Sequence, residues 1–377
     1  MKRIFCLLLA VGLLLCACAT TPSEDPTTLP TQVVPPTTEQ IPNTDTTDSS
    51  SSQTTQTPPT TNQDGKYVNP LNGQEMSGPM TARPFAVVLN NIKAAMPQHG
   101  VSQADILYEV LVEGNITRCL GIFSNISDVT ALGSVRSARK YYVDIAQSYD
   151  AVFVHAGGSD EAYAYMSSIR ADHIDGVKGA NASKYFYRDQ DRLNAGYSLE
   201  HTMFISGQKA VEYAGQQNCT LNRNYGLSYG LKFDDETLVV GTAVKELKVY
   251  FNMGATPSKS TKLTTLTYDS ASGKFFAKQF GGDYIDGNTK EAVAFKNVLI
   301  LKAKTSNQAG SSLKTVELIG SGTGYFACNG QLVPIKWSRA GLNQPFVYTL
   351  QNGAPLTLGV GSTYIAVTPE TGVVEFQ

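Results

Sequence analysis

The sequence predicts an α/β segment followed by a mostly-β segment, both placed behind a leader and a linker that stay outside the folded body. Three observations lead there. Between Lys66 and Tyr229, strand-like apolar runs alternate with stretches of helical spacing. From Leu231 onward, β-rich runs are separated by turn signals and no stretch has a helical period. From Ala19 to Asp64 there is no aromatic residue, few large apolar ones, and an abundance of Thr, Ser, Pro and Gln. The expected organisation is a leader over 1–17, a tether over 18–64, an α/β domain over 65–230 and a β-rich domain over 231–377.

The leader opens with Lys2 and Arg3, continues as an apolar run from Ile4 to Leu15, and ends in Leu15-Cys16-Ala17-Cys18. A charged start, a short apolar core and a small residue before the cleavage point describe a secretory signal. The run falls short of the roughly 20 residues needed to cross a bilayer. With Leu15 at −3, Ala17 at −1 and Cys18 at +1, the site looks like a bacterial lipobox, so Cys18 is expected to carry lipid and become the mature N-terminus. Cys16 fits worse, because Leu15 would occupy its −1 position. Two acyl chains suffice for stable anchoring where one is marginal, which puts the protein on the outer face of the cell membrane. The tether cannot bury enough surface to offset its ordering entropy and is expected to be disordered, stiffened locally by proline.

In the α/β segment, Phe85 to Leu89, Ile106 to Val112, Thr117 to Phe123 and Ala151 to Val154 read as strands. Helices are expected from Ala138 to Tyr149, from Ser159 to Ile169 and from Ser206 to Tyr213. In the β-rich segment the expected strands are Leu238-Val239-Val240, Leu247 to Phe251, Leu263 to Tyr268, Phe275 to Phe280, Ala294 to Leu301, Thr315 to Ile319 and Tyr364 to Val367. Asn329-Gly330, Asn352-Gly353 and Ser270 to Gly273 mark turns between them.

Composition narrows the chemistry. The formal charge is −2, so there is no basic excess to attract nucleic acid. After Cys18 only Cys119, Cys219 and Cys328 remain, without C-x-x-C spacing; they form neither a disulfide framework nor a zinc site and are expected to be buried. His99, His155, His173 and His201 include no H-E-x-x-H pair, so no metal or cofactor is expected. Ser137 to Lys140 matches S-x-x-K, but S-D-N and K-T-G are both missing. Gly226 to Gly230 matches G-x-S-x-G without a following helix, and Gly320 to Gly324 reads as a turn rather than a nucleotide loop.

Three neighbouring pieces could form a site. A two-residue Gly114-Asn115 turn would pair Glu113 with Ile116, Leu111 with Arg118 and Glu109 with Leu120. Glu109, Glu113 and Arg118 would then share one face, with Arg118 about 7–8 Å diagonally from each glutamate. The two glutamates would lie about 13 Å apart, too far for a glycosidase carboxylate pair. Next, Arg136, Arg139 and Lys140 would crowd the first turn of the following helix, where each exposed cation costs about 0.3–1 kcal/mol against the macrodipole. An anion is expected there: Glu109 and Glu113, or a ligand also held by Ser137 and the first-turn amides. Finally, His155 stands at a strand end before Gly157-Gly158, with Ser159 as an N-cap and Asp160-Glu161 in the first turn. Ligands of α/β sheets gather at such carboxyl ends. Each piece taken alone also reads as structure, His155 as a satisfied core histidine and the glutamates and arginines as a buried cluster.

Arg83-Pro84-Phe85-Ala86-Val87, Gln103 to Glu109, Glu113-Gly114, Thr117-Arg118, Ser134 to Arg139 and His155 to Ser159 together resemble the YerB-like lipoproteins. That family is built from paired N- and C-terminal domains of unknown function. Weaker resemblance continues through Asn297-Val298, Gly320 to Gly322, Pro334 to Trp337 and Gly361 to Ile365. The resemblance implies a Gram-positive envelope lipoprotein with an α/β domain and a β-rich domain, and brings no established activity. Where relatives tend to show His-x-Asp, this chain has Tyr284-Ile285-Asp286.

The leading expectation is a membrane-anchored envelope protein that binds an anionic or cell-wall-derived ligand. Arg118, Arg136 and Arg139 would line the pocket with Ser137, His155 and Ser159, while Glu109 and Glu113 orient the arginines. A peptidoglycan hydrolase or lyase is the second reading, with Glu113 or Glu109 as general acid or base and His155 as a further catalytic candidate. A non-enzymatic partner in envelope assembly is the third.

Overall fold

Runs such as Phe85 to Asn91 and Thr117 to Phe123 are buried at every position rather than at alternate ones, the pattern of strands covered on both faces. They belong to a computed structural model that describes residues 60–377 apart from Gln63 and Thr237. The leader, Cys18 and nearly all of the expected tether lie outside the described residues.

The first five strands used below are β1 (Phe85–Asn91), β2 (Ile106–Leu111), β3 (Thr117–Phe123), β4 (Val152–His155) and β5 (His173–Asp175). Between and after them come α1 (Lys140–Ser148), α2 (Asp160–Ile169), α3 (Gln190–Asn194) and α4 (Gly207–Gln216). The later strands are β6 (Glu246–Tyr250), β7 (Leu263–Asp269), β8 (Lys274–Gln279), β9 (Gly282–Asp283), β10 (Asn297–Ala303), β11 (Gly320–Cys328), β12 (Gln331–Arg339), β13 (Val347–Leu350), β14 (Thr363–Pro369) and β15 (Val374–Phe376). No helix follows α4 among the described residues, and the protein is mostly β.

The large sheet runs in the order β13-β12-β11-β10-β14-β2-β3-β1-β4-β5, with Thr242–Ala243 added at β12. It passes through both expected segments, 65–230 and 231–377, because β14 lies parallel to β2 on one side and to β10 on the other. Strands β1, β4 and β5 are parallel, joined by crossovers that contain α1 and α2. One face, with Val88, Tyr108, Leu120, Leu299 and Val367, packs on Tyr142 and Ile145 of α1 and Met166 of α2. The other, with Leu89, Leu107, Cys119, Ile300 and Ala366, packs on Tyr213 of α4 and on Leu247, Leu266 and Phe275. Those last three belong to a second, antiparallel sheet ordered β9-β8-β7-β6-β15.

Local chemistry explains most of the elements. Ser159 caps α2 by accepting from the Ala162 amide, with Asp160 and Glu161 in the first turn, and Ser206 caps α4 in the same way. Asn329 and Gly330 both take positive φ, 49° and 69°, as the tight hairpin between β11 and β12 requires. Cys119, Cys219 and Cys328 are free and buried.

Four expectations are corrected. Leu238 to Val240 is not a strand, and Val240 is 90% exposed, because this stretch pairs with no strand among the described residues. Gly320 to Gly324 is not a turn but the start of β11. A Cβ on Gly324 would meet the Ile300 carbonyl at 2.1 Å, so the glycine lets the strand lie close against β10. The hairpin between β2 and β3 pairs Glu109 with Cys119 and Val110 with Arg118, one residue away from the expected register. Its loop is three residues, Glu113 to Asn115, closed by the Val112 amide on the Ile116 carbonyl, and an odd shift turns one strand's side chains to the opposite face. Finally, α1 begins at Lys140, so Arg136 and Arg139 precede the helix in extended chain instead of crowding its first turn. Lys140 itself is neutralised by Asp144 at 2.8 Å.

Candidate functional site

The segment Ser134 to Arg139 crosses the carboxyl ends of β1 and β4. The Arg136 amide donates to the Val88 carbonyl and the Ala156 amide to the Arg136 carbonyl, at 2.9 and 3.0 Å. The Ala138 amide then donates to Gly157, and the Ser159 amide to Ala138. This strap brings Arg136, Ser137 and Arg139 beside the His155-to-Ser159 turn, and the β2–β3 loop supplies Glu113 from the other side.

Glu113 takes Arg118 Nη2 at 2.6 Å and Arg139 Nη2 at 2.5 Å on the same carboxylate oxygen, with Arg139 Nε on the other at 3.2 Å. Arg118 also donates to the Ser137 carbonyl at 3.0 Å. Burial would raise the Glu113 carboxyl, but the two guanidiniums outweigh it and hold the group below its ordinary range. Burial and the neighbouring Arg139 and Arg136 charges act in concert on Arg118, lowering it against the pull of Glu113. Arg136 reaches Glu200 at 3.1 Å. The Nε donors of Arg118 and Arg136 are both buried without a partner among the described residues.

Two of the expected site residues lie elsewhere. Glu109 faces away from Arg118, fully buried toward the second sheet. It accepts from Asn91, Thr117, Thr264, Gln279 and Tyr364 at 2.7–3.2 Å and pairs with the Lys262 ammonium at 3.0 Å. Burial pushes its pKa up, and Lys262 with the hydroxyl donors more than reverses this, leaving it lowered. Glu109 therefore orients no arginine, and its carboxylate is closed off from solvent.

His155 is also sealed. A carbonyl can only accept, so His155 Nδ1 donates to Gly157 at 2.7 Å, and Nε2 faces His173 Nδ1 at 3.0 Å. Burial pushes this imidazole down to about 4, against the pull of Asp175. A neutral His155 must accept from His173, which fixes the tautomer of both rings. Asp175 is held by the Gly157 and Val177 amides and the Tyr163 hydroxyl. Ser159 spends its hydroxyl oxygen on the α2 cap at 3.2 Å. Glu113, Arg118, Arg139 and the Ser137 backbone are thus brought together, with Arg136 beside them, whereas Glu109 and His155 stand behind as core groups.

Sequence reasoning missed Lys262, Asn91, His173 and Asp175. Lys262 opens an alternating strand, where a surface lysine is the ordinary reading, and its carboxylate partner is more than a hundred residues away. His173 to Asp175 is a three-residue strand, too short to register as a period.

Comparison with known proteins places this arrangement. Residues 71–220 match the N-terminal domain, and 254–365 the C-terminal domain, of a protein family of unknown function, DUF3048. A Bacillus subtilis (strain 168) protein named "Putative lipoprotein YerB" is 28% identical over 305 residues, covering 80% of this chain and 86% of the relative. The chain belongs to the YerB-like lipoprotein family. The crystal structure of Bacillus subtilis YerB superposes with a TM-score of 0.70 at 26% identity, covering 82% of this chain and 100% of that one. Both halves of the YerB-like pattern therefore lie in the sheet-centred body described above, and the arginine strap and the Glu113 loop fall within the N-terminal match.

Proposed function

We propose that this YerB-like protein is anchored through lipid on Cys18 at the outer face of the cell membrane, where it binds an anionic ligand. The binding groups are Arg118, Arg136 and Arg139, steadied by Glu113, with Ser137 at the rim. One observation carries the reading: two neighbouring arginines each bury an Nε–H that nothing among the described residues accepts. A buried donor without a partner costs roughly 1–3 kcal/mol, and guanidinium donors suit carboxylate or phosphate oxygens. The local balance agrees, since among the described residues the three guanidiniums pair only with Glu113 and the half-exposed Glu200.

A phosphate- or carboxylate-bearing wall fragment fits such a cluster, and Glu113 serves it better as a clamp for arginine than as a proton donor. Calorimetry with inorganic phosphate, and with muropeptides, tests the reading. Binding that weakens about tenfold in Arg136→Gln, the least buried of the three arginines, is the expected result. No heat from any of these ligands would overturn it.

A further inference from the structure

A recess lies beside the tip of the β2–β3 hairpin, lined there by Asn115 and Ile116. The Thr256-to-Thr261 loop, the tip of the β8–β9 hairpin, the Asn91-to-Lys93 stretch, and Asn115 and Ile116 enclose about 950 Å³. We propose that this recess binds an anionic polyol, that is, a hydroxyl-rich sugar or sugar alcohol bearing phosphate or carboxylate.

Three independent observations lead there. Lys93, Lys259, Lys262 and Lys278 line the recess against a single carboxylate, Glu375. Lys262 is committed to Glu109, but Lys93, Lys259 and Lys278 form no ion pair among the described residues, so positive charge is left for a ligand anion.

Asn91 lines the same recess and is fully buried. Its Nδ2 donates to Glu109 at 3.0 Å and meets Thr117 Oγ1 at 2.9 Å. A carboxylate can only accept, so the amide cannot be turned round. The other branch, Oδ1, has no partner among the described residues. An orphaned acceptor needs a donor, and an anion's bare oxygens supply none. A hydroxyl group does.

Phe280 supplies the third observation. Gln279 pairs with Gly282, so Phe280-Gly281 is a two-residue hairpin turn with φ of 54° and 81°. That geometry favours Asn or Gly at both places, and an aromatic residue with positive φ is an outlier. Such outliers gather at ligand clamps. The Phe280 ring lines the recess, with the Lys262 ammonium 4.8 Å from its centroid, and gives a flat apolar wall for the C–H face of a polyol. Charge, an unmet acceptor and an aromatic wall together specify a ligand that is anionic, hydroxylated and carbon-framed at once.

The test is calorimetry on the full-length protein in detergent, with glucose 6-phosphate, glucuronate, glucose and inorganic phosphate as probes. The two sugar anions are expected to bind at least about tenfold more tightly than either glucose or phosphate. Lys278→Glu, at an exposed position, should abolish that preference without moving the melting temperature. Phe280→Asn should weaken binding while the melting temperature holds or rises. Arg136→Gln should leave it unchanged, which separates this recess from the arginine site. Silence from both sugar anions up to on the order of 10 mM, equal binding of phosphate, or a preference untouched by Lys278→Glu each overturn the proposal.

Discussion

Glu109 shows how one residue can look like a catalyst in sequence and act as a bolt in the fold. Its carboxylate satisfies five neutral donors and the Lys262 ammonium, and so ties β2 to the second sheet. Removing one partner of a buried pair strands the other charge, at a cost of about 3–5 kcal/mol. Glu109→Gln should therefore lower stability by about that much in urea denaturation. The Glu109→Gln, Lys262→Met pair should recover a good part of it, and additive losses would show that the two do not couple. The sign of the pH dependence follows from the lowered carboxyl: Glu109 contributes stability above its unfolded value of about 4.3 and loses it as pH falls through the folded value. His155 acts in a higher window. Its folded pKa of about 4 lies below the unfolded 6.5, so the unfolded chain binds the extra proton between those values. Stability should thus fall by about 3 kcal/mol as pH drops from 6.5 to 4. His173 is lowered as well and adds to the same trend. In His155→Gln that pH slope should flatten, which melting curves across this range would reveal.

Helix ends and hairpin tips were the legible elements, because their chemistry sits within four residues of chain. Ser159 was readable as a cap from the following acidic pair, and the structure gives its oxygen to the Ala162 amide. Ser159→Ala should cost about 1 kcal/mol by chemical denaturation, with ligand affinity at the arginines unchanged. Phe280→Asn is the converse case. Asparagine tolerates positive φ where phenylalanine does not, so the variant should gain about 0.5–1 kcal/mol in the same assay. The β2–β3 hairpin was legible only in part. Glycine and asparagine announced a turn, but a two-residue and a three-residue loop differ by one position of register, and that position decided that Glu109 shares its face with Cys119, toward the second sheet, rather than with Arg118. The nine-residue strand β11 went unread because Gly320, Gly322 and Gly324 mimic a loop, whereas close approach to β10 is what calls for the glycine at 324.

Taken as a whole, the molecule depends on β14, which pairs with both β2 and β10. Ending the chain after Ser362 removes that strand, parts the large sheet in two and exposes a strand edge on each side. Such a chain should unfold without a sharp transition and aggregate. A chain ending after Pro369 loses only the edge strand β15 and should keep a cooperative melt. Fluorescence melts of the two truncations distinguish these outcomes, and similar melts would mean that the shared sheet is not what holds the body together.

The amino-acid order alone settled what neighbours along the chain can settle: most strand runs, the capped helices, the Asn329-Gly330 turn, the buried cysteines and the family resemblance. Only the tertiary structure decided that Glu113 clamps Arg118 and Arg139, that Glu109 belongs with Lys262, and that β14 closes the sheet between β2 and β10. The reason is physical. Caps and turns are made by groups a few bonds apart, whereas register and long-range pairing are set by which buried surfaces fit, and no local pattern of residues records that fit.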